Sequence, residues 1–391
     1  MKNQEKIKIG FAGGGTGGHI YPILAVHESL KGSAHENYEF VYFVSEGKPE
    51  EKIAQENNIK AKSIPCVGGM PRSAKAIAWI FDLVKASFKA YSFLALEKPN
   101  IVFATGGYSA APVLMAANWL KIPYIIHNLD AHLGLANLVF IKNSLALTLG
   151  MPLTVTHQEK DENKIEINKT LFKFFPTYPK NGSVIITGNP VRKEFYSDIE
   201  SKEKIFQTLG FHQKRKTLTI IGGSQGAQAI NEAVLRVVED LISDNWQIIH
   251  QLGPLQYEQF EIDFPKSPFY KPYKYLNNLH EIYAISDLAI SRAGAMSLAE
   301  LSAKELPCLL IPLPSSAQNH QFHNAKILET QGCALVLEQA FLNEVSLREN
   351  IENIYKRRHL MKLGFNNLGS ENQNQKNAAQ LISGIIKEAI Q

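Results

Sequence analysis

At 391 residues the chain has the length of two or three domains. Its 45% apolar content is enough to give each a core, which excludes a disordered or fibrous protein. Charged residues make up 20%, and 41 Lys and Arg against 37 Asp and Glu leave a net charge of +4, far short of the clustered basicity of a dedicated nucleic-acid binder and only a mild bias toward anionic partners.

Cys66, Cys308 and Cys333 are widely spaced, with no CxxC pair and no Cys/His cluster, so neither a disulfide framework nor a zinc site is expected; they read as buried thiols in a reducing compartment. Met1–Lys8 is polar and leads straight into a strand pattern, without the charged and apolar regions of a secretory leader, so export is not expected. The longest apolar runs are broken by charge or glycine well before the ~20 residues that span a bilayer.

Taken in chain order, short β-branched or aromatic runs alternate with helix-length segments, the pattern of βαβ units and a parallel sheet. The first half predicts strands at Lys6–Ala12, Glu39–Val44, Ile101–Thr105, Tyr124–His127, Leu145–Leu149 and Val184–Thr187. The second half predicts them at Thr217–Ile221, Trp246–His250, Leu288–Ser291, Cys308–Ile311 and Leu335–Leu337. Two similar α/β halves result, joined near Asn189–Ser201, with a terminal helix within 373–391 expected to cross back onto the first domain. Open parallel sheets bind ligands at the carboxyl ends of their strands, and glycine-rich turns follow such ends at Gly13–Gly18, Gly106-Gly107 and Gly222–Gly226, so the ligand is expected between the halves. His157–Ser183, lysine-rich and then aromatic at Phe172, Phe174 and Phe175, reads as a surface hairpin or insertion of no assigned function.

The first glycine loop formally satisfies GxGxxG through Gly13, Gly15 and Gly18. A dinucleotide site would want an acid ~20 residues on, and the only one at the end of the second strand, Glu46, lies too far along. A phosphate loop would want Lys-Ser/Thr where the chain has His19-Ile20. What the loop supplies is bare backbone at a helix start with an imidazole in place, and a helix N-terminus favours the neutral, proton-accepting ring. His19 is therefore the first catalytic candidate, the alternative being a histidine that caps or packs the first turn.

Gly222-Gly223-Ser224-Gln225-Gly226-Ala227 opens a second helix with backbone N–H groups and a hydroxyl suited to a diphosphate. Arg192, just beyond Gly188-Asn189-Pro190-Val191, offers a fork donor for the same phosphates, or else is a solvated surface arginine. In Arg292–Glu300 the carboxylate of Glu300 falls early in a helix, where it can accept from two vicinal hydroxyls or simply complement the helix dipole. Asn319-His320-Gln321 offers polar groups to a sugar. There is no Asp-x-Asp and no helical His-x-x-x-His, which disfavours a metal-assisted departure of the diphosphate.

As an ordered set, Gly14–His19, Gly106-Gly107-Tyr108, Gly188–Arg192, Gly222–Ala227, Arg292–Glu300 and Asn319–Gln321 closely resemble the MurG family of peptidoglycan glycosyltransferases across nearly the whole chain. The resemblance implies an α/β GT-B fold of two Rossmann-like domains with an interdomain cleft. Residues 1–190 would form an N-terminal, membrane-associated acceptor domain and 191–372 a C-terminal UDP-GlcNAc-binding domain. It implies inverting, metal-independent transfer of N-acetylglucosamine from UDP-GlcNAc to the undecaprenyl-diphosphate-linked muramyl-pentapeptide, lipid I, giving lipid II. It implies neither a cofactor nor a nucleic-acid partner.

Carried over, Ser224, Gln225 and Arg192 would bind the donor diphosphate, the backbone at Leu276 the uracil, and Glu300 the ribose, with Ala295, Met296 and Gln321 lining the sugar and nucleotide. Thr16, Gly17 and Gly18 would face the transferred sugar and acceptor diphosphate, with Gly14, Gly15, Tyr108, Asn128 and Asp130 on the acceptor and His19 assisting its deprotonation. The family's His-Glu-Gln-Asn is here His127-Asn128-Leu129-Asp130, which puts an acceptor-only carboxylate where an amide is usual. Arg72, Lys75, Lys85 and Lys89 flank Ile77, Trp79, Ile80, Phe81, Val84 and Phe88 in a segment that suits either an ordinary core-facing helix or an anionic membrane surface; the lipid-linked acceptor that the resemblance implies favours the second, with the enzyme expected peripherally on the cytoplasmic face. Three other readings stay open: a GT-B relative such as a UDP-sugar epimerase or glycolipid synthase, an NAD(P)-dependent oxidoreductase, and an inactive sugar-nucleotide-binding protein.

Overall fold

The computed structural model describes residues 6–14, 17–32, 38–65, 67, 76–107, 109–153, 183–199, 201–367 and 377–391. Gly15, Thr16, Cys66, Arg72, Lys75, Tyr108 and the stretch from His157 to Gly182 lie outside the described residues. The chain divides into two units, Met1–Arg192 with Asn374–Gln391, and Lys193–Gln373.

The first unit runs β1 (Ile7–Gly14), α1 (Gly17–Lys31), β2 (Tyr38–Ser45), α2 (Pro49–Glu56), β3 (Lys60–Ile64), α3 (Ala76–Glu97), β4 (Ile101–Gly107), α4 (Ala110–Leu120), β5 (Tyr124–Asn128), α5 (Leu135–Phe140), β6 (Ala146–Leu149) and β7 (Ser183–Ile186). These strands form one sheet in the order β3-β2-β1-β4-β5-β6-β7, and every pairing is parallel. The side-chain alternation of β1 decides the layers. Ile9 and Phe11 face a core with Ile20, Ile23 and Val26 of α1, while Ala12 faces the other with Ala90 and Leu94 of α3 and Val113, Leu114 and Ala117 of α4.

The second unit contributes α6 (Lys202–Leu209), β8 (Lys216–Ile221), α7 (Gln228–Ser243), β9 (Trp246–Gln251), α8 (Pro254–Phe260), β10 (Tyr270–Tyr273), α9 (Leu279–Ala284), β11 (Leu288–Ser291), α10 (Ala295–Ala303), β12 (Cys308–Leu310), α11 (His320–Thr330), β13 (Ala334–Val336) and α12 (Glu344–Asn367). Its sheet is parallel throughout, in the order β10-β9-β8-β11-β12-β13. Ile230, Val234, Val237 and Leu241 on α7 and Leu347, Ile351 and Ile354 on α12 close one core with Leu218, Ile220, Ile248 and Ile290 from the strands.

The last helix, α13 (Ala378–Ile390), packs on α1 in the first unit, with Ile382 and Ile386 fully buried in the core of Ile9 and Phe11. Burying each of these isoleucines is worth roughly 1.5–3 kcal/mol.

The sequence reading leaves out two strands, β3 and β10, and both are sheet edges. Edge strands tolerate lysine and proline because one side makes no ladder bonds. Here β3 reads Lys60-Ala61-Lys62-Ser63-Ile64 and β10 carries Pro272. The lysines of β3 have a second task. The Glu97 carboxylate at the end of α3 is almost fully buried and sits 2.7 Å from Lys60 Nζ, 3.2 Å from Lys62 and 3.0 Å from Lys8. Burial pushes its pKa up, but hydrogen bonds from Lys60, Lys8 and Lys62 outweigh that and hold it down to about 2.

Candidate active site

In each sheet the crossovers reverse direction at the first strand, between β1 and β4 and between β8 and β11, and at such switch points the carboxyl ends of the strands leave a crevice. In the first unit glycine shapes that point. The β1–β4 register runs Ala12 opposite Ala104 and then Gly13 opposite Gly106, so Thr105 is an extra residue bulged out of the ladder. A Cβ on Gly107 would lie 2.1 Å from the Gly14 carbonyl, and one on Gly13 would lie 2.1 Å from Thr105 Oγ1. Only glycine allows the two strand ends to converge.

α1 begins at Gly17, which puts His19 in its first turn. His19 Nδ1 is 2.9 Å from the Thr105 carbonyl, and Thr105 Oγ1 donates back to the His19 carbonyl at 2.8 Å. A carbonyl can only accept, so a neutral His19 carries its proton on Nδ1 and presents Nε2 as an acceptor. Beneath the loop, the buried Tyr42 hydroxyl donates to the Gly13 carbonyl at 2.6 Å. Burial first, then the Glu50 carboxylate, push the Tyr42 pKa up and keep the phenol protonated. Arg192 belongs to this same unit, its guanidinium 4.8 Å above the Tyr21 ring two residues after His19.

His127 is fully buried on β5, with Nδ1 2.9 Å from Thr148 Oγ1 and Nε2 3.1 Å from Asn189 Oδ1. Burial pulls its pKa down, the Asn189 hydrogen bond opposes that and nearby His19 adds to it, leaving about 4, so the ring is neutral. The Asn189 amide in turn donates to the Leu129 carbonyl at 3.0 Å. Asn128 is engaged within its own loop. Its amide donates to the carbonyls of Asp130 at 2.7 Å and His132 at 3.1 Å, and its carbonyl accepts from Asn137 at 2.9 Å and the Gly134 amide at 3.2 Å. Asn128 thus shapes the 128–134 turn that presents the half-buried Asp130.

In the second unit, Gly222–Ala227 leads from β8 into the N-terminus of α7, and its Gly222, Gly223, Gly226 and Ala227 line a pocket of about 540 Å³ together with Arg292, Gly294, Ser297, Leu313, Gln321 and Gln339. Gly226, at φ +80°, has no room for a side chain, because a Cβ would lie 1.8 Å from the Leu252 carbonyl. Gly223, at φ +88°, meets nothing within 4 Å, so its bare backbone faces open space. Ser224 and Gln225 are exposed at the tip of the turn. Gln251 ties the loop down, donating to the Gly223 carbonyl at 3.0 Å and accepting from the Leu276 amide at 2.9 Å. The Leu276 N–H is therefore already spent on Gln251.

α10 starts from Gly294, with Ala295 and Met296 buried at its head and Glu300 in its second turn, 9% exposed. Glu300 lies near Tyr283, whose phenol is pushed well up by burial and then by the Glu300 charge. Gln321 accepts from the Leu313 amide at 3.0 Å through its carbonyl, which leaves its amide group to face the pocket. Arg292 is a structural fork, donating to the Ile311 carbonyl at 3.0 Å, the Pro312 carbonyl at 3.2 Å and Gln339 Oε1 at 2.7 Å, and burial lowers its pKa to about 10. A second groove of about 920 Å³ lies between α7 and α12, but no glycine loop enters it, and its Arg348 is already paired with Asp240 and Asp244.

Sequence reasoning missed the residues that hold these loops in place: Thr105, Asn189, Asn137, Gln251 and Asn324, whose buried amide donates to the Ala293 carbonyl at 3.1 Å. The available signal was a lone polar residue at the end of an apolar run, as with Thr105 after Ile101–Ala104.

Two parallel-sheet units with glycine loops at their switch points are the architecture of a GT-B glycosyltransferase. Residues 9–145 match the glycosyltransferase family 28 N-terminal domain and residues 217–382 its C-terminal domain. The chain is 34% identical over 351 residues to the UDP-N-acetylglucosamine–N-acetylmuramyl-(pentapeptide) pyrophosphoryl-undecaprenol N-acetylglucosamine transferase of Carboxydothermus hydrogenoformans, covering 88% of each. It is 34% identical over 357 residues to the same-named protein of Bacillus pumilus, covering 89% of this chain and 90% of that one. Among solved structures, MurG of Acinetobacter baumannii superposes with a TM-score of 0.68 at 23% identity, over 98% of this chain and 100% of that one. A UDP-GlcNAc 2-epimerase of Neisseria meningitidis shares the fold with a TM-score of 0.63 at 13% identity, over 98% and 100%. The chain is a glycosyltransferase, and it belongs to the MurG family of N-acetylglucosamine transferases.

Proposed function

We propose that the protein transfers N-acetylglucosamine from UDP-GlcNAc to the muramyl sugar of an undecaprenyl-diphosphate-linked pentapeptide, with inversion and without a metal. The similarity to transferases of that name, 34% identity over 88% of the chain, carries this reading. The second unit holds the donor. Its diphosphate lies on the bare backbone at Gly222 and Gly223, the Ser224 hydroxyl, Gln225 and the α7 N-terminus, its ribose on Glu300, and its sugar beside Ala295, Met296 and Gln321. With the Leu276 N–H held by Gln251, uracil is read there through the Leu276 carbonyl.

The first unit holds the acceptor on its glycine loops and on the turn bearing Asp130. The acceptor hydroxyl attacks the anomeric carbon, its proton passes to His19 Nε2, and the bond to UDP breaks, the leaving charge being met by a helix N-terminus and Arg192. The exposed apolar face of α3, with Lys85 and Lys89, rests on the anionic inner surface of the membrane, where the lipid-linked acceptor resides. No helix among the described residues is long and apolar enough to cross a membrane, in keeping with peripheral attachment.

Incubation with UDP-GlcNAc and lipid I should release UDP and form lipid II, followed by mass spectrometry of the lipid product. Epimerised UDP-sugar formed without acceptor, the activity for which a structural neighbour is named, would overturn the assignment.

A further inference from the structure

We propose that Thr105 is a positioning residue that clamps His19 in a single ring orientation and a single tautomer. The inference rests on the reading of His19 as the acceptor's base, and it begins from the irregularity in the sheet. Because Gly13 pairs with Gly106 rather than with Thr105, the bulge leaves Thr105 with no partner across β1. A bulge of this kind re-aims the groups of the extra residue.

Both groups of Thr105 turn to His19. Its carbonyl takes the Nδ1 proton at 2.9 Å, and its hydroxyl donates to the His19 main-chain carbonyl at 2.8 Å. On the other edge of the ring, Cδ2 lies 3.2 Å from where a Cβ on Gly107 would stand, so that glycine seats the imidazole. One residue thus fixes the ring through its main-chain carbonyl and, through its hydroxyl, anchors the backbone that carries the ring. The partner on Nδ1 is a neutral carbonyl and not a carboxylate, so the clamp selects the tautomer without adding a charge. Thr105 is 1% exposed, so its effect on the reaction runs through His19.

The clamp is tested in the wild-type enzyme by 15N spectra of histidine-labelled protein, in which His19 should carry its proton on Nδ1. Thr105→Val keeps the carbonyl and the side-chain volume but deletes the hydroxyl. With the His19 main chain no longer tethered, the ring should swing off the Thr105 carbonyl, so that both tautomers appear and kcat falls by about tenfold or more, leaving KM for UDP-GlcNAc unchanged. Thr105→Ser, which restores the donor, should recover most of the rate and the single tautomer. A wild-type His19 protonated on Nε2, or a Thr105→Val enzyme with unchanged kcat and tautomer, would overturn the inference. His19→Gln separates this from the underlying reading: normal turnover there removes the base role, whereas an inactive His19→Gln beside a fully active Thr105→Val removes the clamp alone.

Discussion

Two glycines of one loop are constrained for opposite reasons, and the difference can be measured. Gly226 is glycine because a side chain would strike the Leu252 backbone, whereas Gly223 is glycine with empty space before it. Gly226→Ala should cost at least ~2 kcal/mol and lower the melting temperature. Gly223→Ala adds only the left-handed strain of about 1–2 kcal/mol, yet sets a methyl on the backbone proposed for the diphosphate. It should raise KM for UDP-GlcNAc by about tenfold while the protein stays folded. Thermal unfolding and donor KM measured side by side check the pair, and a Gly223→Ala enzyme with unaltered KM would move the diphosphate elsewhere. The glycines and His19 were legible because a run of such residues after a strand has few other uses. The commitments of Asn128 and the Leu276 amide were not, because they depend on Asn137 and Gln251, which reach them only through the fold.

Among the elements, α3 departs furthest from ordinary amphipathicity. Its buried side is made of small residues, Ala86, Ser87 and Ala90 with Leu94, while Ile80, Phe81, Val84, Phe88 and Tyr91 point outward at 38–71% exposure. Trp119 of α4 extends the patch, 5.6 Å from the Phe88 ring. The sequence shows the same apolar residues but not which side they take, since alanines and phenylalanines both fit a helical stripe. Replacing Phe81 and Phe88 together by serine should reduce co-sedimentation with anionic vesicles severalfold and leave turnover of a short-chain, water-soluble acceptor near normal. Equal vesicle binding by the double variant would sink the membrane role of this face. The central strands were legible from their β-branched runs. The edges β3 and β10 were hidden by paired lysines and by proline, which an edge strand tolerates more readily than a central one.

At the scale of the molecule, the two sheets repeat one plan. Each starts from a central strand, β1 or β8, builds outward on one side, returns to start the other, and leaves its glycine loop at the turning point. Each also buries one neutral histidine on a strand beside an asparagine: His127 with Asn189 in the first, and His250, held down to about 3 by burial, with Asn231 in the second. The plan is interrupted where α13 leaves the second unit's run of chain to complete the first unit's core. Deleting residues 374–391 should strip hydrogen-exchange protection from β1, β2 and α1 while β8, β9 and α7 keep theirs; uniform protection in both units would show that the helix is dispensable.

This arrangement also sets an order of events during synthesis. The second unit is one unbroken stretch of chain and can fold as soon as it has emerged, although domains more commonly mature from the N-terminus onward. The first unit begins first but is completed only after the whole of the second has been made, because Ile382 and Ile386 follow the second unit in the chain. A nascent chain therefore carries both glycine loops before it carries the helix that locks the His19 layer in place. Completion of the first unit therefore waits on the second, and a chain cut short before Ile382 would carry a whole second unit beside a first unit whose core is open.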